Sequence, residues 1–70
     1  MDEKLEKARE IFIELDGSQK WQLDKKFNIT GTTKNYEEYK NKLIDIISNN
    51  LDCFELKTYS YNIIFNKLKA

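Results

Sequence analysis

The chain carries one cysteine and no histidine among its 70 residues, and this limits how so short a protein can hold itself together. A lone cysteine excludes an intrachain disulfide, and a zinc site needs cysteine or histidine ligands that the sequence does not supply. A chain of this length buries only about 60 % of the surface that its unfolded form exposes. The fold must therefore rest on a thin apolar core, drawn from the 40 % of residues that are hydrophobic.

The first segment, residues 2–16, has the apolar periodicity of a helix. Asp2 and Glu3 suit the positive end of the helix dipole, and Gly17 is expected to end the helix. A hairpin is the alternative, because apolar residues at positions 11, 13 and 15 alternate before Asp16-Gly17 and those at 21 and 23 alternate after it. The apolar residues that would share one helical face are Leu5, Ala8, Ile11, Phe12 and Leu15.

The segment 18–30 fits either a helix or a strand. Ser18 is a suitable cap for a short helix. The apolar side chains at positions 21, 23, 27 and 29, however, all stand at odd positions, which is also the period of a strand. A turn is predicted at Gly31.

Two further helices are predicted after Gly31. The first runs from Lys34 to Ser48, with Thr32 or Thr33 as its cap. Residues 51–58 follow as a short helix or strand, and a terminal helix begins after Ser60. The apolar stripe of the first helix contains Tyr36, Tyr39, Leu43, Ile46 and Ile47, and that of the terminal helix contains Tyr61, Ile64, Phe65 and Leu68.

These elements predict one compact, mainly α-helical domain over residues 1–70, with three to four short helices. The helix from Lys34 to Ser48 is expected to be the central packing element. A small α+β fold with a short hairpin is the alternative.

The side chains argue against catalysis. No histidine is present to act as a general base or to activate Cys53, which is expected to be a small buried hydrophobe. Glu37 and Glu38 diverge around their helix, while Glu10 and Glu14 share a face that should be solvated. The two glycines lie apart and cannot form a phosphate-binding loop. We expect no enzymatic activity, no cofactor and no metal.

The sequence also bears on location. Its polar start, Met-Asp-Glu-Lys, does not resemble a secretion signal, and no stretch approaches the roughly 18 apolar residues of a membrane span. We expect an intracellular, cytoplasmic protein that does not associate with membranes. The abundance of Lys, Asn and Ile is typical of an AT-rich coding sequence, such as that of a low-GC bacterium or its phage.

The charges alternate in four blocks, although the formal net charge is zero. Residues 1–16 carry six acids and three bases, and residues 17–36 carry four lysines and one aspartate. Residues 37–56 carry five acids and two bases, and residues 57–70 carry three lysines and no acid. Both basic blocks also contain aromatic residues.

Three interpretations fit this pattern. Acidic and basic elements could pack as neighbours, with the aromatic side chains, Trp21 included, in the core. The basic blocks could instead form a face on which Trp21 and Tyr59 stack against nucleic-acid bases beside lysines that neutralise phosphates. Alternatively, a protein docks on the aromatic and lysine residues or on the acidic face of the first helix. The candidate partner-binding residues are Lys20, Trp21, Lys25, Lys26, Lys57, Tyr59 and Tyr61.

The segment from Leu23 to Tyr36 resembles a helix-turn-helix in part, with a leucine, a turn around Asn28 and threonines that open a second helix. Asp24 and Lys34 depart from the motif, which has a small residue and an apolar residue at those places. The resemblance implies a recognition helix facing the major groove. Its first residues would be Thr32, Thr33, Lys34 and Asn35.

The expected function is that of a small non-enzymatic binding protein of the regulator, inhibitor, immunity or antitoxin type. It would act by occluding a surface of a macromolecular partner, with Trp21 as the anchor and Lys20, Lys25 and Lys26 as a charged rim. Another protein is the expected partner, and nucleic acid is the alternative. A homo-oligomer is also considered, because assembly adds stability to a thin core.

Overall fold

The computed structural model describes residues 2–55 and 60–68. Within these ranges the chain forms six helices and no strand. The prediction of a mainly α-helical fold is thus confirmed, and the hairpin alternative is not supported. In chain order the helices are α1 (Glu3–Glu14), α2 (Gly17–Phe27), α3 (Ile29–Thr32), α4 (Tyr36–Asn49), α5 (Leu51–Phe54) and α6 (Tyr61–Lys67).

The predicted number of helices, three to four, is too small for the described residues. The helices α3 and α5 have four residues each. One turn is too short to display the 3.6-residue period on which the prediction depended. The periodicity indicated three of the four longer helices, α1, α4 and α6. The segment 18–30, which the periodicity left ambiguous, is helical in α2 and α3. Of the ambiguous residues 51–58, α5 accounts for the first four, and positions 56–58 lie outside the described residues.

The boundary between α1 and α2 differs from the prediction at Gly17. The C-cap of α1 is Leu15, with an extended backbone (φ −70°, ψ 132°), and Asp16 is the N-cap of α2. The amide of Gln19 donates to Asp16 Oδ1 at 2.8 Å, while the amide of Asp16 donates to Gln19 Oε1 at 2.9 Å. This capping box satisfies amides that the first turn of α2 would otherwise leave unpaired. Gly17 is therefore the first residue of α2 rather than a helix stop, and Asp16, not Ser18, is the cap.

The chain reverses at Asn28 rather than at Gly31. Asn28 ends α2 in the left-handed conformation (φ 52°, ψ 50°), which asparagine tolerates better than most residues. The chain enters α3 at the next residue. Gly31, predicted as the turn, lies inside α3 and does not have a positive φ.

The helix α4 begins two residues later than predicted. Its N-cap is Asn35, whose side-chain oxygen accepts from the amide of Glu38 at 2.9 Å. The predicted caps Thr32 and Thr33 instead donate their hydroxyls to the carbonyl of Ile29, at 3.1 and 2.8 Å. Threonine hydroxyls commonly bond the backbone of the preceding turn in this way, so neither residue is available as a cap.

The buried hydrophobic residues form one cluster that the helices surround. The helix α4, predicted to be the central packing element, contacts α1, α3 and α5. The helix α5 contacts as many helices, namely α1, α4 and α6, and α6 also contacts α2. Cys53, expected to be buried, is half-buried and packs against this cluster. The cluster consists of Ala8, Phe12, Leu15, Leu23, Ile29, Leu43, Ile44, Ile47, Leu51, Phe54, Ile64, Phe65 and Leu68.

Candidate binding surface

Trp21 projects from α2 on the side opposite the core. Leu23 is fully buried, and Trp21, two residues earlier and therefore about 200° around the helix, is 60 % exposed. The sequence left open whether this side chain is in the core, and the structure places it on the surface. An exposed indole offers a large apolar face and a hydrogen-bond donor, the combination found in many interface anchors.

Lys25 lies one turn after Trp21 and covers part of its ring. The Lys25 ammonium is 5.2 Å from the ring centroid of Trp21. Side chains four residues apart share a helical face, so this contact follows from the helix itself. A cation–π contact at an exposed site is worth about 0.5–1 kcal/mol. We call these two residues the Trp21–Lys25 pair.

The other two lysines of the predicted rim lie elsewhere. The Lys20 ammonium is 4.1 Å from the ring centroid of Phe12 on α1. The Lys26 ammonium donates to the backbone carbonyl of Phe65 on α6 at 2.6 Å. Each of these lysines contacts a neighbouring helix, so the three do not form one cluster around the indole.

Tyr61, the described candidate from the second basic block, is half-buried on α6. Its ring packs against Phe54 and Phe65, with centroids 6.2 and 6.1 Å away, and its hydroxyl donates to Glu14 Oε2 at 2.7 Å. Desolvation, and then the hydrogen bond to Glu14, raise the pKa of Tyr61 to about 12. Tyr61 therefore joins α6 to α1. The other two candidates of that block, Lys57 and Tyr59, lie outside the described residues.

A cleft of about 410 Å³ opens where the end of α2, α3 and the start of α4 meet. Asp24 lines it and lies one helical turn after Trp21, so Asp24 and the Trp21–Lys25 pair are neighbours on α2. The sequence did not single out this cleft, because its residues come from three helices that a turn at Asn28 brings together. Its lining also includes Thr30, Lys34, Tyr36 and Tyr39.

The Asp24 carboxylate is fixed at the wall of this cleft by Thr30. Oδ1 of Asp24 accepts from the amide of Thr30 at 2.8 Å, and Oδ2 accepts from its hydroxyl. These hydrogen bonds, the hydroxyl one foremost, hold the pKa of Asp24 below its usual value. The carboxylate is therefore both oriented and ionised at neutral pH.

Two tyrosines form the aromatic wall of the cleft. Tyr36 stacks on Tyr39, with ring centroids 6.1 Å apart and planes at 26°. Tyr36 is 67 % exposed, whereas Tyr39 is half-buried against the core. Desolvation raises the pKa of Tyr39, and the negative charge of Asp24 adds to the effect. Both tyrosines therefore line the cleft together with the fixed negative charge of Asp24.

The structure has the turn that the helix-turn-helix resemblance implies, but it does not have the implied start of the recognition helix. The turn at Asn28 is present, but Thr32 lies in α3 and residues 33–35 precede α4. The four residues implied to open one helix therefore do not do so. Asp24, which departed from the motif, has a role of its own here as the partner of Thr30.

The outward face of α1 is a second exposed surface. Ile13 is 78 % exposed and lies one turn after Glu10, which in turn lies one turn after Glu6. Both glutamates are exposed. This is the acidic face that the sequence offered as an alternative docking surface.

Within residues 2–55 and 60–68, no group of three or more metal-binding side chains is arranged to hold an ion. The helices of this part of the chain are all too short or too polar to cross a membrane. Comparison with protein-family models, with curated proteins and with solved structures finds no match to this chain.

Proposed function

We propose that this chain is a small non-enzymatic binding protein that occludes a surface of a partner protein, with Trp21 as the anchor. The observation that carries the proposal is the 60 % exposure of the only tryptophan. Burying a large aromatic side chain in a complex releases hydrophobic free energy that this fold leaves unused. Tryptophan is among the residues most enriched at the energetic centre of protein interfaces.

The surroundings of Trp21 support an interface of this kind. The indole projects from a regular helix, so its position is set by the packing of Leu23 beneath it rather than by a loop. The cleft at Asp24 lies one turn away and adds a recess beside the projection. A projection beside a recess favours shape-specific docking, as expected of a regulator, inhibitor, immunity protein or antitoxin that acts by covering its target.

The distribution of charge favours a protein over nucleic acid as the partner. Nucleic-acid affinity comes largely from lysines that neutralise phosphates. Lys20 and Lys26 contact other helices, which leaves Lys25 beside the indole. The ionised Asp24 one turn away would repel a phosphate backbone. Nucleic acid is the second hypothesis. A steep fall of affinity with added salt would distinguish it from binding to a protein.

The test is a comparison of partner binding by the wild type, Trp21→Ala and Ile13→Ala. Ile13 is the matched control, because it is an exposed apolar residue on a different helix. We expect the partner isolated with the wild type to bind Ile13→Ala equally well. Its binding to Trp21→Ala should be weaker by about 2 kcal/mol or more, which is roughly thirtyfold.

Two results would contradict the proposal. If Ile13→Ala abolishes binding while Trp21→Ala does not, the acidic face of α1 is the interface. If the isolated partner is a nucleic acid whose affinity falls by about a thousandfold between 50 and 200 mM salt, the second hypothesis is correct.

A further inference from the structure

The cleft between α2, α3 and α4 has a chemistry that the exposure of Trp21 does not explain. Its wall combines a fixed carboxylate, that of Asp24, with the stacked rings of Tyr36 and Tyr39. Its volume of about 410 Å³ lies at the lower end of the range typical of small-molecule sites. It is therefore large enough to admit one long side chain.

We infer that this cleft receives an arginine side chain of the partner protein, with its guanidinium on the Tyr36 ring and hydrogen-bonded to Asp24. The identity of the arginine's owner rests on the proposed function. The chemistry of the cleft does not, because it follows from the residues that line it.

Asp24 retains hydrogen-bonding capacity for such a guest. An ionised carboxylate offers about four lone-pair sites. The amide of Thr30 occupies one site on Oδ1, and the Thr30 hydroxyl occupies one on Oδ2. The amide of Ile29 also bonds this carboxylate and lowers its pKa. About one of the four sites therefore remains, and a guanidinium N–H can donate to it.

The tyrosines supply the second half of the recognition. Tyr36 presents a ring that is 67 % exposed, and its stacking on Tyr39 fixes the orientation of that ring. A guanidinium is planar and stacks on aromatic faces, whereas a lysine ammonium is compact and strongly hydrated. The pairing of a flat, exposed ring with a fixed carboxylate favours arginine over lysine.

Lys34 also lines the cleft and carries the opposite sign. Its charge opposes a cationic guest and would attract an anionic one. The effect of removing that charge therefore has a different sign for the two classes of ligand. Lys34→Gln tightens the binding of arginine and weakens that of a phosphate or a carboxylate.

The experiment is an NMR titration of the ¹⁵N-labelled chain with N-acetyl-arginine methylamide, with the citrulline analogue as the neutral control of the same shape. We expect saturable shifts of the amides of Thr30, Tyr36 and Tyr39 with millimolar affinity for arginine. Citrulline should bind about fivefold more weakly, because an exposed ion pair contributes up to about that factor. Tyr36→Ala should weaken arginine binding about threefold, and Tyr36→Phe should leave it unchanged.

The inference is wrong if arginine and citrulline bind equally, if neither shifts these amides, or if Lys34→Gln weakens the binding of arginine. Inorganic phosphate that shifts the same amides more strongly than arginine would also overturn it. No partner protein is needed for this titration. A negative result, together with loss of the partner by Trp21→Ala, would remove the arginine site and leave the proposed function standing.

Discussion

At the scale of single residues, the largest departures from expectation occur at helix caps. Glycine after a helical segment predicts a stop, because glycine is common just past a helix C-terminus. Here Asp16 and Gln19 stand three residues apart and form a capping box, so Gly17 begins α2 instead. The sequence contains this Asp16–Gln19 spacing, but a glycine at position 17 is equally typical of a helix end. Asn28, by contrast, was placed at a turn by the helix-turn-helix resemblance, and it has the left-handed backbone.

Gly17→Ala should stabilise the fold by about 0.4–1 kcal/mol, because alanine restricts the unfolded chain at a position that suits a helix. A Cβ at Gly17 would meet no atom within 4 Å, and its φ is not positive. Urea denaturation followed by far-UV circular dichroism measures the change. Gly31→Ala is the contrasting variant, since its Cβ would lie 2.8 Å from Cγ and Nδ2 of Asn28. That side chain would have to move, so the gain in stability should be smaller than for Gly17→Ala. If Gly17→Ala lowers stability instead, the backbone at Gly17 does not suit alanine, and the placement of Gly17 in the first turn of α2 is contradicted.

At the scale of elements, periodicity predicted α1, α4 and α6 because each buries an apolar stripe, whereas α2, which buries Leu23, also fitted a strand. Periodicity could not show what holds the short helix α6 in place. Phe65 lies in the last turn of the seven-residue helix α6, and its carbonyl accepts a hydrogen bond from the Lys26 ammonium. These two residues are 39 positions apart in the chain. A cation at the carboxyl end of a helix also interacts favourably with the partial negative charge of the helix dipole.

Lys26→Met should lower the free energy of unfolding by about 1–2 kcal/mol, since it removes a charged hydrogen bond at a partly buried site. The loss should fall mainly on α6, so amide hydrogen exchange in residues 61–67 should accelerate more than in α1. Lys25→Met is the matched control, because Lys25 contacts only the exposed ring of Trp21 among the contacts that the described residues display. Equal effects of the two substitutions would mean that Lys26 does not cap α6.

At the scale of the whole molecule, contacts between distant segments decide which predicted site residues are available. The prediction grouped Lys20, Lys25 and Lys26 with Trp21 because they are close in sequence. Tertiary packing directs Lys20 to Phe12 and Lys26 to α6. A helix with Leu23 facing inward predicts an exposed Trp21. The sequence did not decide on a helix, because positions 21, 23, 27 and 29 fit a strand equally well. The cleft could not be predicted, because it exists only where three helices meet.

Tyr61 is partly desolvated and its hydroxyl donates to Glu14, 47 positions away, and for both reasons global stability falls at alkaline pH. The fold raises the pKa of Tyr61 from 10.0 to about 12, so it favours the neutral phenol. Its contribution to stability is complete below pH 10 and is lost as the pH rises from 10 to about 12.

Tyr61→Phe should therefore lower stability at neutral pH by about 0.5–1.5 kcal/mol and reduce the loss above pH 10. Denaturation with urea at several pH values measures both effects. Tyr36→Phe is the control, because Tyr36 is an exposed tyrosine on a different helix. If Tyr61→Phe loses as much stability above pH 10 as the wild type does, other groups cause the alkaline loss.

The outward position of Trp21 also determines which optical signal reports which event. The indole is in water in the folded chain and will be in water in the unfolded chain, so its emission should change little when the protein denatures. A melting curve recorded by tryptophan fluorescence would then look flat although the helices are lost. A partner that covers the indole should shift its emission to the blue. The sequence thus carries an intrinsic reporter of complex formation, while its folding has to be followed through the backbone.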